Sequence, residues 1–326
     1  MKVLYIYRHP DMGYSIGKVF RPIEEEMKKY AEVDSIYLPI PNYSLKGLWK
    51  NVRYALEHCK KNRYDVIHIT GTEHYLLPFL GNKRTVITVH DLGFYTKKNC
   101  YRNILKYILW IKTLPLASYV TFISEKSKNE ALQLVKFKDG EYSVIMNPIG
   151  REFSAKPKDI NKSCPTILHI GTGINKNIES TAIALKDFPC KLRIVGKVTD
   201  KQKFVLNLYN INYECISNLT DEEVLQEYKN CDIVNFPSLY EGFGMPIIEG
   251  QSIGRPVLSS NISPTKEVAA DAAVLVDPTS PESIRNGYEI LLKASEKYIE
   301  KGFENIKRFS LSRISKEYFE IYNKIQ

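Results

Sequence analysis

Two carboxylates with glycines between them carry the most chemistry in this 326-residue chain. The stretch from Pro237 to Pro256 reads PSLYEGFGMPIIEGQSIGRP, with Glu241 and Glu249 inside it. The apolar run Ile233, Val234 and Phe236 predicts a buried parallel strand, and the glycines after it predict a turn. Pro246 suits the start of a helix, and Gly254 followed by Pro256 suits its end. A helix N-terminus offers unpaired N–H groups and the positive end of the dipole, so the backbone from Gly242 to Met245 is a candidate anion cradle. Glu241 in the loop and Glu249 on the helix would flank it. Carboxylates beside an anion site need hydroxyl donors to accept from, and a sugar or a ribose supplies them. The combination points to a nucleotide sugar.

The same stretch closely resembles the donor site of retaining, nucleotide-sugar-dependent glycosyltransferases of the family-four, group 1 type. Their hallmark is two glutamates separated by seven residues around a G-F-G core, matched here by Glu241, Gly242, Phe243, Gly244 and Glu249. The bland alternative is a capped surface turn before a half-buried helix. The resemblance implies an α/β fold of GT-B architecture, two Rossmann-like doubly wound parallel-sheet domains facing a central cleft. It puts the donor in the second domain and the acceptor mostly in the first. It further implies transfer of a hexose from a nucleoside-diphosphate sugar, UDP or GDP, with retention of configuration and no cofactor besides that donor. Glu249 would accept from the ribose hydroxyls and Glu241 from sugar hydroxyls near the reacting centre. Lys176, with the backbone of Gly242, Phe243, Gly244 and Met245, would stabilise the leaving diphosphate. No cluster of Asp residues for a divalent ion is evident, so metal independence is expected.

The elements that must position these groups follow from hydrophobic runs alternating with helical patterns. In the first half, MKVLYIY, SIYLPI, YDVIHIT, RTVITVH, ASYVTFIS and YSVIMN read as strands. Helical patterns run from Lys18 to Tyr30, near Leu48 to Lys61 and near Tyr101 to Leu114. Alternation of this kind predicts a doubly wound parallel sheet, with ligands outside the carboxyl ends of the strands. Behind the first strand lie Arg8 to Gly17, where Gly13 and Gly17 could let the backbone approach a phosphate. The family has a glycine-containing loop there, so Gly13 joins the donor-binding candidates, although no Gly-Gly pair is present. Behind RTVITVH comes T-V-H-D-L, which resembles the segment carrying the family's active-site histidine and nominates His90. An imidazole there could donate to a sugar hydroxyl or a phosphate oxygen. Asp91 could instead cap the next turn and leave His90 a hydrogen-bonded core group.

Residues 151–164 lose periodicity and gain Pro, Lys and Ser, which reads as a linker. The expected domains are then 1–150 on the acceptor side, 165–308 on the donor side, and a final amphipathic helix, 309–326, that in the family crosses back to the first domain. The second domain opens with TILHIGTGINKNIESTAIAL, again strand, glycine loop and helix. Asn175 or Asn177 could cap that helix. Lys176 at its N-terminal end opposes the dipole unless an anion sits there. In the family this loop carries a basic pair on the donor diphosphate. Lys176 matches its lysine, and Thr172 stands near the place of the arginine, which is missing. A dinucleotide reading of GTGINKN fails on its absent third glycine and on KLRIVGK, which ends without an acid for a ribose. Thr220 with Glu223 predicts a capping box.

Apolar content of 44% and charge of 25% fit a soluble globular protein, and no run approaches the length of a membrane span. Six scattered cysteines suggest neither a zinc site nor a disulfide framework and fit a reducing cytoplasm. The net charge of +9 resides in residues 1–150, with 23 basic against 14 acidic side chains, while the remainder balances at 23 and 23. An anionic partner for the first half and plain solubilising charge both account for this. Segments SLKGLWKNVRYALEHCKKNR and KKNCYRNILKYILWIKTLPL mix Lys and Arg with Trp, Tyr, Leu and Ile. They suit an anionic membrane surface, or equally helices packed on the sheet with solvated lysines. No nucleic-acid recognition module is apparent. The expected acceptor is a lipid-linked or growing surface glycan, at the inner face of the cytoplasmic membrane. A non-catalytic sugar-nucleotide-binding protein and a GT-B-type epimerase are the alternative readings.

Overall fold

Short runs rich in Val, Ile, Leu and Tyr form two six-stranded parallel sheets, most inner strands buried on both faces and the edge strands partly open. The structure is a computed structural model that describes residues 1–326 except Tyr14, 82–83 and 93–103. Gly93, Lys97, Lys98, Cys100 and Arg102, and the start of the helix expected near Tyr101, therefore lie outside the described residues. The first sheet contains β1 (Lys2–Tyr7), β2 (Glu32–Tyr37), β3 (Val66–Ile69), β4 (Thr85–Val89), β5 (Tyr119–Phe122) and β6 (Tyr142–Val144). Its spatial order is β2-β1-β3-β4-β5-β6. The second contains β7 (Thr166–Ile170), β8 (Lys191–Val195), β9 (Tyr213–Ile216), β10 (Ile233–Phe236), β11 (Val257–Ser260) and β12 (Val274–Val276), ordered β12-β11-β10-β7-β8-β9. The direction of winding reverses between β1 and β3 in one sheet and between β7 and β10 in the other. Such switch points leave a crevice at the strands' carboxyl ends.

The chain divides into two units, Met1–Gly150 with Leu311–Gln326, and Arg151–Ser310. In the first unit the Leu311–Ile325 helix buries Ile314, Tyr318 and Tyr322 against the sheet. The Tyr322 hydroxyl lies 2.9 Å from the Tyr5 hydroxyl and 2.5 Å from His68 Nδ1, while His68 Nε2 meets the Thr88 hydroxyl at 2.9 Å. Buried polar groups are tolerated because they satisfy one another. Burial drives the His68 pKa down to about 3, so the ring is a neutral member of this network.

The second unit includes the segment read as a linker. Ser252 donates to the Phe153 carbonyl at 2.7 Å, and the Lys156 N–H donates to Ile253 at 3.1 Å. Lys158 pairs with the buried Asp232 at 2.8 Å, whose carboxylate also accepts from the Asn161 and Thr166 N–H groups. The predicted capping box is present, with Thr220 and Glu223 bonding reciprocally at the start of the Asp221–Asn230 helix. Strand β2 begins earlier than SIYLPI predicts because Glu32 and Asp34 pair in register with Lys2 and Leu4, and Lys2 Nζ bridges both carboxylates. No helix among the described residues is long and apolar enough to cross a membrane.

Candidate active site

The two loops at the second sheet's switch point are locked together by side chains of the first. The loop after β7 supplies Gly171 to Asn177, and the loop after β10 supplies Pro237 to Gly244. The Leu239 N–H donates to the Asn175 carbonyl at 2.8 Å, and Asn175 Nδ2 donates back to the Tyr240 carbonyl at 3.0 Å. Asn177 Nδ2 reaches the Pro237 carbonyl at 3.0 Å and the Pro278 carbonyl at 2.6 Å. Asn177 thus departs from its expected capping role. Its backbone stands in the left-handed region (φ 66°), which turns the side chain away from the helix and onto neighbouring strand ends.

This framework delivers Lys176 to Glu241. Lys176 Nζ lies 2.5 Å from Glu241 Oε1, which also receives Asn175 Nδ2 at 3.3 Å. The ammonium sits 4.7 Å from the centroid of the Phe236 ring, a cation–π placement. The stem of Lys176 folds over Gly171, where a Cβ would come within 3.1 Å of Lys176 Cε and where φ is +91°. Glycine is the residue that allows both. The anion that a lysine at this helix start calls for is therefore supplied, within the unit, by Glu241 itself.

The helix expected after the G-F-G core runs Met245–Ile253, with Pro246 in its first turn and Gly254 in the left-handed conformation at its end. Gly244 opens it at φ 119°, with space for a Cβ only 3.0 Å from Ile247. Glu249 lies on this helix, half-buried, and its Oε2 accepts from the Tyr228 hydroxyl at 2.5 Å. Phe243 is buried and packs edge-on against Phe309, so its backbone alone faces the loop side. The Thr172 hydroxyl donates to the Lys197 carbonyl at 2.9 Å and its carbonyl accepts from Gln202, which makes it a brace between the β7 and β8 exits.

His90 and Gly13 belong to the first unit. Gly13 has φ 116° and closes a single turn of helix, with its carbonyl accepting from Arg8 Nη2 at 3.0 Å. His90 Nε2 lies 2.9 Å from the Thr70 carbonyl. A carbonyl only accepts, so this nitrogen carries the proton, and burial lowers the ring's pKa. The neutral ring has committed its N–H to Thr70, which corrects the expectation of a donor: Nδ1 can accept from a hydroxyl. In the loop after β3, at the β1/β3 switch, stands Glu73, fully buried, with Oε1 accepting from the Thr72 hydroxyl at 3.0 Å and Oε2 without a hydrogen-bond partner among the described residues.

Sequence reasoning missed Tyr228, the bridging roles of Asn175 and Asn177, and Glu73. Tyr228 reads as a core position of an amphipathic helix, and only the packing of that helix on Met245–Ile253 reveals its hydroxyl's partner.

Residues 150–305 match the family model described as glycosyl transferases group 1, and residues 18–153 match that of glycosyltransferase family 4. The chain belongs to the group 1 glycosyltransferases. The O-antigen chain mannosyltransferase B of Escherichia coli is 24% identical over 236 residues, 62% of this chain. The match spans 59% of that relative's length. Among solved structures, a sucrose-phosphate synthase from Thermosynechococcus elongatus superposes with a TM-score of 0.82 at 18% identity, covering 100% of this chain and 99% of the other. The Anabaena protein HepE, in complex with UDP and glucose, gives a TM-score of 0.76 at 16% identity over 99% and 100%. These likenesses identify the two-domain fold of this group 1 glycosyltransferase as GT-B.

Proposed function

We propose that this transferase moves a sugar from a nucleoside-diphosphate sugar to a hydroxyl of a lipid-linked or growing surface glycan, with retention of configuration and without a metal ion. The observation that carries the reading is the Lys176–Glu241 pair at a sheet switch point, with Glu241 in the loop that leads into the Met245–Ile253 helix bearing Glu249. Lys176 and the helix N-terminus favour a diphosphate, and the two carboxylates favour hydroxyls on either side of it. HepE with UDP and glucose supports the donor class, and the E. coli relative, an O-antigen chain mannosyltransferase, supports transfer of mannose into a polysaccharide. In the transfer, the bond from the anomeric carbon to the β-phosphate oxygen breaks as the acceptor oxygen bonds that carbon on the same face. The acceptor proton passes to the departing phosphate, so the protein need supply no nucleophile. Glu241 orients sugar hydroxyls by accepting from them; in the first unit the neutral His90 has Nδ1 available to accept from a hydroxyl.

On this reading the enzyme works in the cytoplasm at the inner membrane face. Leu45 and Trp49, one helical turn apart on the Leu45–Lys61 helix, are 72% and 60% exposed, and Lys46 and Lys50 flank them. An apolar ridge rimmed by lysines suits anionic headgroups.

The test is to incubate the protein with UDP-, GDP-, dTDP- and ADP-sugars, with and without EDTA, and follow slow donor hydrolysis by NMR beside Glu249→Ala. One nucleoside diphosphate released, insensitive to EDTA and lost in the variant, is the expected result. Nucleotide binding without release, even when glycan acceptors are added, would favour a binding protein. Sugar isomerisation without acceptor would favour an epimerase, and no binding of any nucleotide would remove the donor-site reading.

A further inference from the structure

We propose that Tyr228 is a positioning residue that acts through Glu249, its hydroxyl holding the donor-binding carboxylate in place from the neighbouring helix. The inference rests on the donor-site reading above. Tyr228 is fully buried on the Asp221–Asn230 helix, and its hydroxyl donates to Glu249 Oε2 at 2.5 Å. Glu249 is long, with three side-chain torsions, and sits half-buried at the rim of the site. A long carboxylate loses rotamer freedom when a ligand selects one geometry, and a fixed hydrogen bond lowers that cost. A hydrogen bond to an ionised carboxylate is among the stronger ones a protein makes, and this one comes from a rigid ring with little freedom of its own.

The ring in turn is fixed. Phe153 meets it edge-on at 5.6 Å between centroids, and the Phe153 carbonyl is held by the Ser252 hydroxyl on the same helix that carries Glu249. Arg255 Nη2, from the end of that helix, donates to the Lys229 carbonyl at 2.7 Å, next to Tyr228. The two helices are thus pinned on both sides of the Tyr228–Glu249 contact. Burial and the nearby carboxylate keep the phenol well above its ordinary pKa, so it remains a donor. A phenylalanine would satisfy every packing contact here. What the hydroxyl adds is its bond to Glu249.

The test measures UDP and GDP affinity by titration calorimetry for the wild type, Tyr228→Phe, Glu249→Ala and the double variant, with a thermal melt of each. Tyr228→Phe is expected to bind the preferred nucleotide about tenfold more weakly. In donor hydrolysis it should raise KM with kcat held. In the Glu249→Ala background the same change should have no further effect, a coupling that a merely structural role would not produce. Wild-type affinity in a folded Tyr228→Phe, or losses that add fully in the double variant, would overturn the role of Tyr228 while leaving the donor site standing. A wild type that binds neither nucleotide would overturn the donor-site reading and this inference with it.

Discussion

Lys176 and Glu241 form an ion pair, Nζ to Oε1 at 2.5 Å, between two loops that leave their strands on adjacent carboxyl ends. Their side chains are 21% and 13% exposed, so the pair is sheltered enough to hold its geometry and open enough to be approached. On the proposed donor-site reading, a diphosphate arriving beside Lys176 would compete with Glu241 for the same ammonium, and the released carboxylate would be free to accept from the sugar.

Removing the charge at position 176 tests that exchange. Lys176→Met, which keeps the stem over Gly171 and Phe236, should lower the rate of donor hydrolysis by about a hundredfold, in the range for loss of one preorganised electrostatic group. Melting should move little, because Glu241 retains Asn175. Hydrolysis followed by NMR at saturating donor is the measurement, and an unchanged rate would take Lys176 out of the mechanism.

Asn177 separates backbone demand from side-chain bonding. Asn177→Gly accepts the left-handed backbone yet loses both bonds to Pro237 and Pro278, so it should cost about 2 kcal/mol in urea unfolding. Asn177→Ala adds the conformational penalty and should cost about 1 kcal/mol more. Equal costs would show that the hydrogen bonds alone carry the position.

Glu73 gives the first unit a pH signature. Burial raises its pKa to about 7, against an ordinary value of 4.5. A carboxyl whose pKa is raised by folding stabilises the fold fully below its unfolded value, and that contribution is lost as the pH climbs through the folded one. Stability should therefore decline between about pH 4.5 and pH 7, by up to roughly 3 kcal/mol from this group. Glu73→Gln should flatten that part of the profile. Urea unfolding of both proteins at pH 5 and pH 8 decides, and parallel profiles would count against it.

The ridge at Leu45 and Trp49 should bring the protein to vesicles containing anionic lipid at low salt, and not to neutral ones. Lys46→Glu with Lys50→Glu should abolish flotation, and Trp49→Ala should weaken it. Absence of binding by the unaltered protein at low salt would remove the membrane surface from the functional picture.

Much of this molecule was legible in its sequence because its strands are short apolar runs, most of the inner ones doubly buried, that alternate with helical patterns. Each run of the first half became a strand, and Pro246 and Gly254 marked the helix that carries Glu249. Lys176 was legible as a charge out of place at a helix start, which demanded an anion. That the anion is Glu241 was not, because the register of β7 beside β10 arises from the whole sheet and leaves no local trace. Tyr228 was hidden for the same reason, since a buried tyrosine and a buried phenylalanine give one hydropathy pattern. The proton on His90 was also beyond the sequence, as it depends on the Thr70 carbonyl from another strand.

The Leu311–Ile325 helix, which supplies Tyr318 and Tyr322 to the core of the first unit, has one more implication. On the ribosome these residues emerge after everything from Arg151 to Ser310. The later-made unit therefore has all its own parts in hand while the earlier-made one still waits with Tyr5 and His68 uncovered. The order of completion runs against the order of synthesis, and the first sheet is the stretch that nascent-chain chaperones have most reason to shield.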